Sequence, residues 1–293
     1  MTDPGTIPAH TRFGNIRARL EAFGPQPGWQ SWLYEFMLFG LKQAWACLFG
    51  ALMLALLMGT HLLYPEGLAL ARYDFLTLAA LAIQLAMLGF RLETLSEAKV
   101  ILAFHVVGTI MELFKTSAGS WVYPEASYLR IGEVPLFSGF MYAAVGSYIA
   151  RVWRIFDFHY TAYPPAWATY ALAASIYVNF FAHHYLVDVR LGLFAMLGLL
   201  HWRTRIYFRV WQADRSMPLV LGWFLVAVFI WFAENIATFA RAWTYPNQAD
   251  VWTMVSYGKL GAWYLLMYIS FVLVAAVHIP AVNRPLAPRP EAG

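Results

Sequence analysis

Two glutamates stand inside apolar runs at matching places in a repeated pattern. Glu112-x8-Trp121-x-Tyr123-Pro124 recurs as Glu234-x8-Trp243-x-Tyr245-Pro246, 122 residues further on. A carboxyl group set in apolar surroundings can hold and deliver a proton, which is general acid–base chemistry. His105, Thr109 and Glu112 share one helix face, because seven residues make almost two turns. Gly108 beside them lets a ligand or a helix approach. A second group is Asn179-Phe-Phe-Ala-His183-His184, with Asp188 and Arg190 just beyond. The expected catalytic set is Glu112, Glu234, His105, His183 and Asp188. The expected substrate-binding set is Lys115, Trp121, Tyr123, Glu125, Asn179, Asn235, Trp243, Tyr245 and Lys259. His183, His184 and Asp188 have the ligand types of zinc or non-haem iron. A divalent metal is therefore a candidate cofactor, although adjacent histidines on a helix point about 100° apart.

Such residues need helices in lipid to position them. The chain of 293 residues is 61% hydrophobic and 12% charged, against about 25% charged in soluble domains. A net charge of +4, spread along the chain, makes no case for nucleic acid. The single Cys47 excludes a disulfide framework and reads as a small packing residue in an apolar run. Residues 1–33 contain no apolar core of signal type. Phe13, Ile16, Leu20 and Phe23, with Arg12, Arg17 and Arg19 elsewhere on the wheel, predict a short helix on an anionic membrane surface.

A span needs about 20 mostly apolar residues. The segments 38–60, 73–90, 98–115, 134–152, 165–184, 188–202, 217–240 and 256–279 answer to that, the sixth being short. The fold expected is all-α, a polytopic transmembrane helical bundle of eight spans. It divides into a cytoplasmic N-terminal segment 1–33, one transmembrane domain 34–280 and a cytoplasmic tail 281–293. With the N-terminus inside, most basic residues fall in cytoplasmic segments as anchors, among them Arg151 and Arg154 at the end of span four and Arg203, Arg205, Arg209 and Arg215 between spans six and seven. The other side then carries only Arg72, Arg130, Arg190 and Arg241. Positive-inside counting thus gives both termini in the cytoplasm of an inner (plasma) membrane.

The repeated glutamate pattern, with weaker echoes from His61 to His183 and Glu66 to Asp188, points to a duplicated four-span unit over 38–152 and 165–279. An even span number makes the copies parallel, and transporters place sites at such repeat interfaces. In this topology nearly every unusual polar group lies in the extracytoplasmic half, including Trp252 and Gln248. Blander readings exist for each. Trp and Tyr near span ends belong to interfacial belts. Lys42 and Gln43 snorkel, Gln84 makes an interhelical hydrogen bond, and the glutamates bridge to Lys115, Lys259 or His105. The stripe Gly139, Ala143 and Ser147, after Val134-Pro135-Leu136 at a helix start, is a close-packing surface.

The run His105-Val-Val-Gly-Thr-Ile-Met-Glu112-Leu-Phe-Lys-Thr-Ser-Ala-Gly-Ser-Trp121-Val-Tyr-Pro-Glu125 resembles the bacterial integral-membrane family catalogued as domain of unknown function 817. Val134-Pro-Leu-Phe-Ser-Gly-Phe-Met-Tyr142, Asn179-Phe-Phe-Ala-His-His184 and Trp231-Phe-Ala-Glu-Asn235 are similar to its motifs as well. The resemblance covers about residues 35–279 and implies a multi-pass membrane protein without supplying a reaction. Glu112, Tyr123 and Val134-Pro-Leu136 also resemble, more distantly, positions in membrane carotenoid hydratases and small lycopene cyclases.

Three functions compete. The first is an intramembrane enzyme acting on a lipid or isoprenoid, with Glu112 or Glu234 protonating an alkene or ester and aromatic rings steadying a cation. The second is an ion-coupled small-molecule transporter, and the third a non-catalytic assembly or binding protein. Membrane lipid is the expected partner, with a hydrophobic small molecule as substrate.

Overall fold

The computed structural model of the chain describes residues 28–65 and 67–277. The surface helix expected over 11–23, the tail 281–293 and Glu66 lie outside them. The described residues form a mostly helical bundle: α1 (Trp29–Ala46), α2 (Leu48–Leu63), α3 (Arg72–Gly89), α4 (Leu95–Ser117), α5 (Phe137–Phe156), α6 (Ala166–Ala182), α7 (Arg190–His201), α8 (Leu219–Phe239) and α9 (Tyr257–Val277). Two small antiparallel sheets qualify the all-α expectation. A two-stranded hairpin joins β1 (Arg130–Ile131) to β2 (Val134–Pro135). A three-stranded sheet holds β3 (His159–Thr161), β4 (Arg205–Arg209) and β5 (Asp214–Pro218) in that order. Part of the arginine-rich loop is therefore a β-hairpin.

Three helices, α4, α8 and α9, are long and apolar enough to cross a membrane, and α1 with α2 make a fourth if a bent pair counts as one. The helices α6 and α7 are apolar but shorter. The eight-span count thus reduces to three or four helices that qualify by length and composition. The expected span 38–60 is not one helix, because it breaks at Cys47 with a bend of 67°. Cys47 is exposed at that break, so it is not the packing residue expected. Pro135 sits in strand β2, not in the first turn of a helix; α5 starts only at Phe137.

The local reasons for α4 are plain. Thr94 Oγ1 accepts from the Glu97 amide at 3.2 Å, and Glu97 Oε2 accepts from the Thr94 amide at 2.7 Å. This reciprocal box satisfies two of the free N–H groups at the helix start. At the other end Gly119 takes φ 69°, the left-handed conformation that glycine adopts at little cost. The Ser120 amide then bonds Lys115 O at 2.9 Å and the Gly119 amide bonds Thr116 O at 3.0 Å, a Schellman ending. Helix α8 ends with the same two bonds at the positions 122 residues on. Ala242 donates to Ala237 O at 2.9 Å and Arg241 to Thr238 O at 3.0 Å, with Arg241 at φ 52°.

Helices α4 and α5 form the tightest pair. A methyl on Gly139 would stand 2.4 Å from His105 Nδ1, one on Gly108 2.6 Å from Tyr142 Cγ, and one on Gly146 2.8 Å from Phe104 Cδ2. Each glycine receives a side chain from the facing helix, so the backbones approach closely. Gly108 thus admits the facing helix, one of the two approaches expected, and seats Tyr142. The stripe of small residues on α5 is a packing surface, as expected.

At the opposite end from the glutamates, Glu93 and Arg151 form an ion pair at 3.3 Å with neither side chain exposed. Ser147 Oγ (2.7 Å) and Gln84 Nε2 (2.5 Å) also donate to Glu93. Arg151 is thus a buried strut and not a surface anchor. Glu97 pairs with Arg154 at 3.2 Å.

Candidate functional site: two carboxylate cages beside a lysine

Glu112 is buried near the end of α4. Its Oε2 accepts from Trp121 Nε1 at 2.7 Å and Tyr123 Oη at 2.6 Å, and its Oε1 from Tyr142 Oη at 2.6 Å. The Schellman turn reverses the chain after α4 and brings Trp121 and Tyr123 back over the acid; Gly108 seats Tyr142. Glu234 is buried at the equivalent place on α8. Its Oε1 accepts from Tyr245 Oη at 2.5 Å and its Oε2 from Trp263 Nε1 at 2.7 Å. Both acids are held by neutral aromatic donors, with no cation in ion-pair contact among the described residues. The expected bridges to Lys115, Lys259 or His105 do not form. Burial, and then the neighbouring carboxylates, push the phenols of Tyr123 and Tyr245 well above their ordinary pKa.

The two cages meet. Trp121 and Tyr245 stack edge to face, with centroids 5.9 Å apart. The loops carrying them pair at one point, where Val122 and Thr244 exchange backbone hydrogen bonds of 3.0 and 2.9 Å. Between them, Lys259 Nζ stands 4.1 Å from the Tyr245 ring centroid and 5.1 Å from that of Trp121. It feels both carboxylates electrostatically while resting on the negative faces of two rings.

An apolar slot runs beneath. It is lined by Gly108 and Met111 of α4, Tyr142 of α5, Tyr177 of α6, Ile230 of α8, and Trp263 and Met267 of α9, among others. It is narrow, a cavity of about 30 Å³. Tyr142 and Trp263 belong both to the slot wall and to the cages, so a hydroxyl and an indole already bonded to buried acids border the same space.

The other expected residues lie apart from the acids. His105 packs on Gly139 and against the Phe140 ring at 4.7 Å, with its Nδ1 unpartnered. Glu125 pairs with Arg72 in a separate open cleft of about 470 Å³ with Thr60, His61 and Tyr64. Asn179 fixes its own loop: Nδ2 donates to Asp188 Oδ1, and Oδ1 accepts from the Val189 amide, both at 3.2 Å. Asn235 does the same for another loop, accepting from the Val255 amide at 2.9 Å. Trp243 makes no hydrogen bond to Glu234, unlike Trp121 to Glu112; the role passes to Trp263.

Lys115 donates to His184 Nε2 at 3.0 Å and lies 4.4 Å from the Phe180 ring centroid. His183 Nδ1 donates to Asn179 O at 3.0 Å, and Asp188 pairs with Arg190 at 3.2 Å. Among the described residues no three His, Cys, Asp or Glu side chains converge to hold a metal ion. The ligand set expected from His183, His184 and Asp188 is therefore not assembled. Tyr142 and Trp263 were missed by sequence reasoning. Tyr142 closes the Val134–Tyr142 motif, but its seat on Gly108 is a contact between two helices that no spacing in the sequence marks.

The model of the family described as protein of unknown function (DUF817) matches residues 35–271. Over 239 residues the chain is 45% identical to the uncharacterized protein YoaT of Bacillus subtilis (strain 168), covering 82% of this chain and 90% of that relative. No solved structure matches the chain. The match spans the helices that build both cages, and the chain belongs to the DUF817 family.

Proposed function

We propose that the chain is a multi-pass membrane enzyme performing acid–base chemistry on a lipid or isoprenoid held in the apolar slot. One observation carries the reading: Tyr142, hydrogen-bonded to buried Glu112, also lines the slot. A substrate proton passes to Tyr142 Oη as the Tyr142 proton passes to Glu112, and the reverse transfer delivers a proton to substrate. Such a relay works best where water is excluded and the donors are already positioned. Trp263 with Glu234 forms the opposite wall, and its ring face suits a developing positive charge.

Several features support the finer topology in the same reading. Helices lie near all the segments first read as spans, and the basic loops favour cytoplasmic termini in a plasma membrane. The matching helix endings at Gly119 and Arg241, and the pairing of Val122 with its equivalent Thr244, are what a duplicated four-helix unit related by a twofold axis would produce. That equivalence also favours a second reading, an ion-coupled carrier with Glu112 and Glu234 as paired proton sites.

The test begins with purification in mild detergent and mass spectrometry of co-purified lipids. The wild type is expected to carry, and on incubation to convert, a long-chain molecule. Tyr142→Phe keeps the fold and the bound molecule but loses conversion by about 100-fold or more, the usual loss on removing an acid–base group. Proton-coupled uptake into liposomes, with no chemical conversion, would overturn the enzyme in favour of the carrier.

A further inference from the structure

Two helices that line the slot each carry a lysine one turn beyond it, at the same end, and the turn after a third carries a histidine there. On α4, Met111 lines the slot and Lys115 follows four residues later. On α9, which runs the other way, Trp263 lines the slot and Lys259 precedes it by four. After Tyr177 on α6, the chain reaches His184. Four residues are about one helical turn, 5.4 Å, so these groups gather over one mouth of the slot. The charges sense one another: Lys115 feels Lys259, Arg190 and the Asp188 carboxylate, and His184 feels Lys115, His183 and Lys259.

Neither lysine has a carboxylate within ion-pair distance among the described residues. Lys115 is bonded to an imidazole nitrogen and set against Phe180; Lys259 rests on two aromatic faces. The acids nearby are otherwise engaged. Asp188 holds Arg190 and Asn179, while Glu112 and Glu234 are turned into their aromatic cages. Lys115 is almost fully buried, and buried ammonium groups without a paired anion are costly. An apolar slot roofed by unpaired cations matches an amphiphile with an anionic head.

We propose that Lys115 and Lys259, with Arg190 and His184 at the rim, bind the phosphate group of a lipid whose chain lies in the slot. This rests on the reading of the slot as a lipid site and names the substrate class. The phosphate bridges the two ammonium groups, and the first carbons of the chain pass Trp263 and Tyr142 beside the carboxylates. Met111 and Met267 supply adaptable walls for a slot that must widen around a chain.

The test uses the full chain in a non-ionic detergent with three probes: dioleoylphosphatidic acid, dioleoylglycerol and inorganic phosphate. Affinity is read by native mass spectrometry and by the rise in unfolding temperature. Phosphatidic acid is expected to bind at least about tenfold tighter than either other probe, the effect of one charge-assisted contact. Its advantage over dioleoylglycerol should fall about tenfold in Lys115→Gln and in Lys259→Gln, and survive in Lys259→Arg. In the wild type that advantage should also shrink with rising salt, which needs no variant to fold. Equal binding of dioleoylglycerol, indifferent to the lysines, would sink the headgroup site while leaving the slot as a lipid site. Inorganic phosphate binding as tightly as phosphatidic acid would assign the cations to a soluble anion and overturn the lipid. Binding of none of the three would remove both the headgroup site and the slot.

Discussion

At the residue scale, the unusual feature is a pair of buried acids satisfied by aromatic donors in place of cations. Each donor to an ionised group contributes about 1.5–3 kcal/mol, although hydrogen bonds measured inside membranes average less. Glu112 accepts from three donors and Glu234 from two. Replacing Glu112 by Gln turns one accepting oxygen into a donor and leaves at least one phenol or indole without a partner. The expected loss is about 2–4 kcal/mol for Glu112→Gln and less for Glu234→Gln, read from unfolding titrations in mixed micelles. Equal losses would mean that Trp121, Tyr123 and Tyr142 do not act together. The importance of both acids was legible in the repeated glutamate–tryptophan–tyrosine spacing. Which aromatic closes each cage was not, because Tyr142 and Trp263 come from other helices and no local period announces that contact.

At the element scale, α4 and α5 decide the site, since the glycines of each admit the side chains of the other. Gly139→Ala would drive a methyl against the His105 ring. Overpacking of this kind costs about 1–3 kcal/mol, and it would shift α5 and with it Tyr142. The second change His105→Ala should restore part of that stability, since Thr109 Oγ1 would still stand 2.8 Å from the methyl. A double-mutant cycle checks the coupling, and additive effects would contradict the packing described. The small-residue stripe on α5 was legible in the sequence because its period is that of a helix. The break at Cys47 was not: residues 44–58 form an apolar run, and no proline or glycine stands at Cys47 itself, where the chain bends by 67°. Arg151 misled for a different reason. Its partner Glu93 lies in the short connection before α4, and charge counting records an arginine without recording whether it is buried.

At the scale of the whole molecule, composition alone pointed to helices in lipid, and three long apolar helices agree with it. The proposed eight crossings and cytoplasmic termini give a prediction of their own. In a Cys47→Ser background, Tyr128→Cys, on a highly exposed residue, should react with a membrane-impermeant maleimide in intact cells. Ala213→Cys, beside β5, should react only after the membrane is opened. The reverse pattern would invert the topology, and reaction of both in intact cells would mean an even number of crossings between them, where the proposed topology has three. Helix α3 is where hydropathy counting is least able to decide, because buried Arg72 and Asp74 lower the mean without being exposed, while α7 is apolar but only 12 residues long.

The touching of Val122 and Thr244 bears on how anything reaches the interior. Arg72 donates to Ala240 O at 2.6 Å and Tyr73 to Arg241 O at 3.0 Å at the same rim, so that edge is latched at several points. The far edge is clamped by Glu93 and Arg151. With both rims fastened, the proposed lipid would enter sideways from the bilayer, between neighbouring helices, and leave by the same door.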